Sequence, residues 1–235
     1  MKGTLHLIPV GLSDTHADQW LPAGAIQTAA QLTHYIAENA KTARGFLNKM
    51  PLEHALQSIH IETLSNKTTD SAIREWLAPL KDGIDIGLVS EAGCPAVADP
   101  GSRVVTLAHQ MNARVRPWVG PSSILLGLMA SGLDGQRFVF HGYAPIQPDA
   151  RIKTLRRWEQ QSRQQTQTQI LIETPYRNAA MIKALTEALS PQTRLCVASA
   201  LTSETEWIKT QTIAQWKQTQ WPDLSRAPTL FLFQA

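Results

Sequence analysis

Three short segments of this 235-residue chain have the residue types to build a ligand site: Pro9 to Gly11, Ser90 to Gly101, and Gly120 to Ser123. Each follows an apolar run and is rich in glycine, proline and small polar residues. Glycine lets the backbone approach a ligand closely and proline fixes the loop around it, so the trio suits a folded, nucleoside-like molecule. Taken singly, each also fits an ordinary tight connection. Other chemistries fail on spacing. The chain has no GxxxxGK[ST] and no GxGxxG after a strand, so a phosphate cradle for ATP or NAD is disfavoured. Ser90 and Ser203 lack a GxSxG elbow and a locally paired histidine. The histidines (His6, His16, His34, His54, His60, His109, His141) are scattered, and His60 and Glu62 lack the partner cysteines of a zinc deaminase, so no metal is expected.

The elements that must position these loops alternate between short apolar strands and helical patterns, the signature of an α/β fold. Strands are expected at Thr4 to Val10, Tyr35 to Glu38, Ser58 to Leu64, Ile84 to Ser90 and Arg114 to Val119. Helices are expected from Ala25 to about Thr33, Thr42 to Met50, Asp70 to Lys81 with a stop at Gly83, after Gly101 to about Met111, and Ile124 to Ser131. The second half offers strands at Arg137 to His141, Ile170 to Glu173, Arg194 to Ala198, Glu206 to Gln211 and Thr229 to Phe233, and a helix at Asn178 to Leu189. The glutamine-heavy stretch Glu159 to Gln169 reads as a mobile helix end and loop. Two α/β domains follow, residues 1–118 and 119–235. In such folds the loops at the carboxyl ends of parallel strands form the binding crevice, which is where all three segments fall.

A hydrophobic content of 43% is enough for a substantial core and excludes disorder as the default. No apolar stretch approaches the ~20 residues of a membrane span and the amino terminus is too weakly apolar for a secretion signal, so a cytoplasmic protein is expected. Cys94 and Cys196 allow at most one bridge and sit in no CxxC pair; reduced thiols are expected. The formal charge of +3 favours a polyanionic partner only slightly. Its distribution is more pointed: Arg151, Lys153, Arg156, Arg157 and Arg163 gather in one segment with Glu159 as the acidic counterweight. That segment suits RNA phosphates, or equally a solvated helix face.

Residues 88–101 read LVSEAGCPAVADPG, similar to the LVSDAGTPxISDPG signature of the RsmI-type bacterial ribosomal RNA ribose 2′-O-methyltransferases of the tetrapyrrole methylase superfamily. VGPSS (119–123), ASGL (130–133), FVFHGY (138–143) and ETPYR (173–177) follow in the order this family shows. LIPVG (7–11) resembles its first cofactor loop and AENAKTAR (37–44) its AEDTRxTR segment. The resemblance implies two α/β domains with the cofactor cleft between them, a homodimer, no metal, S-adenosylmethionine as cofactor, and ribosomal RNA or the small ribosomal subunit as partner. Residue by residue it assigns Gly11, Ser90, Glu91, Ala92, Gly93, Asp99, Gly101, Gly120, Ser122 and Ser123 to the cofactor site. A carboxylate such as Glu91 or Asp99 would favour the cationic sulfonium; Asp99 fits equally well as a loop cap bonding its own backbone.

Methyl transfer to a hydroxyl needs the acceptor oxygen aligned behind the methyl group and a base for its proton. The resemblance makes Glu38 and Glu173 the candidates, with ion pairing to Arg44 or Arg177 as the alternative reading. Arg44, Arg151, Lys153, Arg156, Arg157 and Arg177 are the candidate substrate contacts. Departures from the family pattern are Glu91 for aspartate, Asn39 for aspartate, Lys41 for arginine and Cys94 for threonine; a short form without the carboxyl-terminal extension is expected. These leave two alternatives: methylation of a tetrapyrrole or other small acceptor, and a catalytically silent relative that binds cofactor or RNA.

Overall fold

The computed structural model describes residues 3–235, which form two compact units dividing between Ser122 and Ser123. In the first unit β1 (Thr4–Leu7), β2 (His34–Ala37), β3 (His60–Thr63), β4 (Ile86–Val89) and β5 (Arg114–Pro117) make one sheet in the order β3-β2-β4-β1-β5. Every pairing in it is parallel. The crossovers carry α1 (Ala23–Gln31), α2 (Ala40–Leu47), α3 (Asp70–Trp76) and α4 (Gly101–Gln110). Right-handed crossovers put helices on opposite faces when the chain moves in opposite directions along a sheet. The core divides accordingly: Ala25, Ala29, Phe46 and Leu47 of α1 and α2 pack in one cluster, and Ile73, Val104 and Leu107 of α3 and α4 in another. Neighbouring strands β1 and β4 thus send their outgoing connections to opposite faces, and the sheet opens at their carboxyl ends.

The helix expected over Asp70 to Lys81 is shorter. It stops at Trp76 and continues as a 3-10 turn over Ala78–Asp82, because Pro79 has no N–H to donate to the α-helical ladder. Gly83, at φ +85°, then ends it as expected.

The second unit holds α5 (Ser123–Ser131), β6 (Phe138–Phe140), α6 (Pro148–Gln165), β7 (Thr168–Glu173), α7 (Asn178–Ala188), β8 (Arg194–Ser199), β9 (Trp207–Thr212), α8 (Ile213–Trp216) and β10 (Thr229–Gln234). Its sheet runs β6-β7-β10-β8-β9, with β6 and β7 parallel and the remaining pairs antiparallel. One face packs Leu155 and Trp158 of α6 and Met181 and Leu185 of α7 against Leu171, Val197, Phe231 and Phe233. The polar stretch over residues 159–169, expected as a mobile helix end and loop, is helical for more of its length and is anchored. α6 continues to Gln165, Thr166 ends it at φ +49°, and β7 starts at Thr168. Glu159 and Ser162 are the reason: both are buried, Glu159 accepts hydrogen bonds from Ser190 N (2.7 Å) and from the Thr193 hydroxyl, and Ser162 Oγ donates to Gln167 O (2.7 Å).

No helix among the described residues is long and apolar enough to cross a membrane. Cys94 and Cys196 are free thiols.

Packing in the first sheet turns on one glycine. Tyr35, Gly87 and His6 lie in register on adjacent strands, and the Tyr35 ring covers Gly87 while its hydroxyl donates to Ala29 O at 2.6 Å. A Cβ at residue 87 would fall 2.4 Å from Tyr35 Cε1. Gly87→Ala is therefore expected to destabilise the chain by about 1–3 kcal/mol through overpacking, read as a lower midpoint in chemical denaturation with an unchanged slope.

Candidate active site

The carboxyl edge of the first sheet brings the three glycine- and proline-rich segments together. Val10 and Gly93 exchange both backbone hydrogen bonds, 2.9 Å and 2.8 Å, joining the β1 loop to the β4 loop. Gly120 lies so close to Pro9 that a Cβ there would fall 2.4 Å from the proline Cβ, and Cys94 Sγ donates to Pro121 O at 3.4 Å. Ser90 is buried, and its hydroxyl shares its proton between Ala92 O and Gly93 O, at 3.2 and 3.1 Å. These contacts place Ser90, Ala92, Gly93 and Gly120 in one assembly. Gly11 joins it beside the Trp20 ring, whose buried Nε1–H has no hydrogen-bond partner. Ser122 ends the first unit and Ser123 opens α5 of the second.

Asp99 fastens the β4 loop. Its carboxylate accepts from Ala96 N (2.9 and 3.0 Å) and from Gly101 N (2.7 Å) at the start of α4, which is the loop-cap geometry. The fastening holds a loop whose Ala96 and Ala98 sit at φ +68° and +62°. Non-glycine residues held there store on the order of 1–3 kcal/mol each, a strain that persists where the surroundings impose it. Gly101 is required by the same closeness, since a Cβ would meet Asp99 Oδ1 at 2.8 Å.

Three carboxylates gather along this edge. Glu38 follows β2 and accepts a long hydrogen bond from Glu91 N (3.4 Å). Burial pushes its pKa up, and the charges of Asp99 and Glu91 push it the same way, against the Glu91 N–H. Burial also raises Asp99, opposed by the Gly101 and Ala96 N–H groups. None of the three is ion-paired among the described residues; Arg44 and Lys41 are exposed on α2. Asn39 caps that helix, its side-chain oxygen accepting from Lys41 N (2.9 Å) and Thr42 N (3.3 Å), a role asparagine fills as well as aspartate.

The second unit treats its charges differently. Glu173, at the carboxyl end of β7, has a fully enclosed side chain paired with Arg177 at 3.0 Å. Arg177 also donates to Ala144 O (3.0 Å), and Thr174 N donates to Glu173 Oε1 (3.1 Å). Burial raises the Glu173 pKa, while the Thr174 N–H, Arg177 and Arg151 oppose it. Arg151 is only 7% exposed, so it departs from the expected cationic surface and joins this buried cluster. Lys153, Arg156 and Arg157 remain exposed on α6, and Arg163 reaches Ser190 Oγ at 3.5 Å. Sequence reasoning passed over Tyr143 and Tyr176, which are 53% and 82% exposed. The signal for Tyr176 was an aromatic between Pro175 and Arg177, where a tight turn leaves a large side chain no core to enter.

A parallel sheet whose carboxyl edge carries glycine- and proline-rich loops has the layout of a binding crevice in an α/β fold. Comparison with known proteins narrows this. Tetrapyrrole (Corrin/Porphyrin) Methylases match residues 4–216. A "Ribosomal RNA small subunit methyltransferase I" of Xylella fastidiosa is 30% identical over 215 residues, covering 90% of this chain and 73% of that protein. One from Mesorhizobium japonicum is 30% identical over 189 residues, covering 80% and 61%. The chain thus spans about 61 to 73% of the length of these curated relatives. Among solved structures, the methyltransferase CobJ superposes with a TM-score of 0.62 at 15% identity, covering 99% of this chain and 93% of that one. A uroporphyrin-III-C-methyltransferase from Thermus thermophilus gives 0.58 at 15%, covering 100% and 93%; both likenesses are of fold. The chain belongs to the tetrapyrrole (corrin/porphyrin) methylases, a family of methyltransferases.

The raised Glu38 pKa has a thermodynamic consequence. The folded chain holds that proton more tightly than the unfolded chain, so stability falls as pH rises from the free-carboxylate value through the folded one, and above that the destabilisation is complete. Glu38→Gln is expected to unfold at a higher temperature than the parent at neutral pH, with the gap closing towards about pH 4. A calorimetric series across that range measures it.

Proposed function

We propose that this protein is an S-adenosylmethionine-dependent methyltransferase acting on a ribose 2′-hydroxyl of small-subunit ribosomal RNA. The observation that carries the cofactor is the carboxylate group formed by Glu38, Glu91 and Asp99. Two of these are held at raised pKa with no cation beside them, and a sulfonium is the ligand charge that relieves such a site. The residues present fit the cofactor in two further ways. Gly93, at φ +75°, leaves the junction of the β1 and β4 loops without a side chain, and the Trp20 indole N–H lacks a partner beside Gly11. Gly11, Ser90 to Gly93, Asp99, Gly101, Gly120, Ser122 and Ser123 are the residues assigned to it. The acceptor is carried by the likeness to relatives named for small-subunit ribosomal RNA, which extends over 90% of the chain. A homodimer working in the cytoplasm is part of this reading, as the resemblance of the sequence motifs implies.

When bound, S-adenosylmethionine supplies an electrophilic methyl group on a sulfonium. What the chain supplies is position and proton transfer. Asp99 holds the β4 loop in its strained course, so the loop is already shaped before a ligand enters. Glu38 is the base: half-buried and raised in pKa, it is a better proton acceptor than a solvated glutamate. Glu173 is enclosed and bound to Arg177, so its role is to brace the Thr174–Arg177 turn. Arg44 and the exposed cations of α6 receive RNA phosphate, whereas Arg177 is taken up by Glu173 and Ala144 O.

Labelled methyl transfer from S-adenosylmethionine to small ribosomal subunits lacking ribose methylation, followed by alkaline hydrolysis, tests the reading. Label in alkali-resistant dinucleotides is the expected result, and Glu38→Gln should lower kcat by about 10²–10⁴-fold while still binding cofactor. Transfer to a uroporphyrinogen-type acceptor instead, or cofactor binding with no transfer to any acceptor, overturns the ribosomal assignment.

A further inference from the structure

Deepening the RNA reading above, on which it rests, we infer that Tyr176 and Tyr143 form an aromatic platform that stacks bases of a single-stranded RNA segment, whose backbone follows Lys153, Arg156 and Arg157 on α6. β6 and β7 are parallel neighbours, so the segments that follow them leave the second sheet at the same edge. They are tied together there: Ile172 N donates to Gly142 O (3.0 Å) and Arg177 Nη2 to Ala144 O (3.0 Å). Tyr143 lies between the two tied residues, and Tyr176 sits beside the arginine.

The support beneath Tyr176 is rigid. Arg177 N closes the turn on Thr174 O at 2.9 Å, its guanidinium is paired with the enclosed Glu173 carboxylate, and Pro175 fixes its own φ. An aromatic ring 82% exposed on so pinned a turn stands on a fixed backbone and offers its face to solvent. Every nucleobase has a face to stack on such a ring, and only unpaired bases can reach it, which selects single-stranded over duplex RNA. Ile146, 72% exposed, lies in the same connection between β6 and α6 as Tyr143.

Charge specifies the polymer. Lys153, Arg156 and Arg157 are spaced to share one face of α6, roughly 7 to 14 Å along the axis from its first residue. Glu159 does not neutralise them, because Ser190 and Thr193 occupy its carboxylate in the interior; Asp149 is the exposed acid of this helix. Aromatic faces at the sheet edge and cations along the adjoining helix match bases and phosphates of one strand.

Fluorescence anisotropy with the full chain and a short labelled single-stranded RNA tests this, beside a duplex of the same sequence. Tyr176→Ala is expected to weaken single-strand binding about tenfold, Tyr176→Phe to restore it, and duplex binding to stay unchanged. Arg156→Gln with Arg157→Gln should flatten the salt dependence of log affinity by about 1.4, two phosphate contacts' worth. Equal single-strand affinity for Tyr176→Ala and the parent, or equal losses on single strand and duplex, overturns the platform, even if the parent methylates ribosomal subunits. If the parent methylates no subunit but Tyr176→Ala still loses single-strand affinity and Tyr176→Phe regains it, the platform stands and the ribosomal assignment falls.

Discussion

The pair of backbone hydrogen bonds between Val10 and Gly93 is the constraint on which the candidate site depends. Parallel strands leave their carboxyl ends without partners, and the chains departing from β1 and β4 head for opposite faces of the sheet. Joining the two departing loops across that edge fixes Pro9 to Gly11 against Ser90 to Gly93. Gly120 can then pack on Pro9, and Pro121 O can accept from Cys94. Gly93 makes the junction possible because its φ of +75° is open to glycine at little cost. Without that junction the strained course of Ala96 and Ala98 would have Asp99 alone to hold it.

The two units handle charge in contrasting ways, and the contrast assigns their work. In the first, Glu38, Glu91 and Asp99 have no ion-pair partner among the described residues, and burial disfavours the ionised forms of Glu38 and Asp99. A site in that condition is poised for a positive ligand and for taking up a proton. In the second, Glu173 is matched by Arg177 and flanked by Arg151, so its charge is spent on holding a turn, while the solvent-facing cations of α6 remain available to an anion. Glu38 follows β2 and Glu173 ends β7, and both have raised pKa, yet of the two Glu173 alone is ion-paired among the described residues.

Much of the architecture was legible in the chain itself. Apolar or alternating runs marked every strand of both sheets to within a few residues; central strands such as β4 are buried throughout and read as unbroken apolar runs, while edge strands such as β3 and β9 are more exposed and more polar. The glycine- and proline-rich loops marked the first sheet's edge, because only those residues tolerate such close approach. What stayed hidden depends on partners distant in sequence. The glutamine-rich half of α6 looked like a loop, since nothing local reveals that Glu159 will be claimed by Ser190 and Thr193 about thirty positions later. Arg151 looked like a surface cation for the same reason: its place beside Glu173 is set by how α6 packs against β7.

The departures from the family signature can be weighed by what each side chain does. Asn39 caps α2 through its carbonyl oxygen, so replacing aspartate leaves that hydrogen bonding whole while removing one negative charge from the edge that holds Glu38. Cys94 still donates to Pro121 O, as a threonine hydroxyl would, and its half-buried thiol has a raised pKa that keeps it a neutral donor. Glu91 is exposed and keeps its carboxylate. The changes therefore spare the fastening of the loops and fall on the charge around Glu38, with Lys41 exposed one turn away on α2. That pattern keeps the hydrogen bonds that shape the loops and alters the charge near Glu38, the group proposed above as the base.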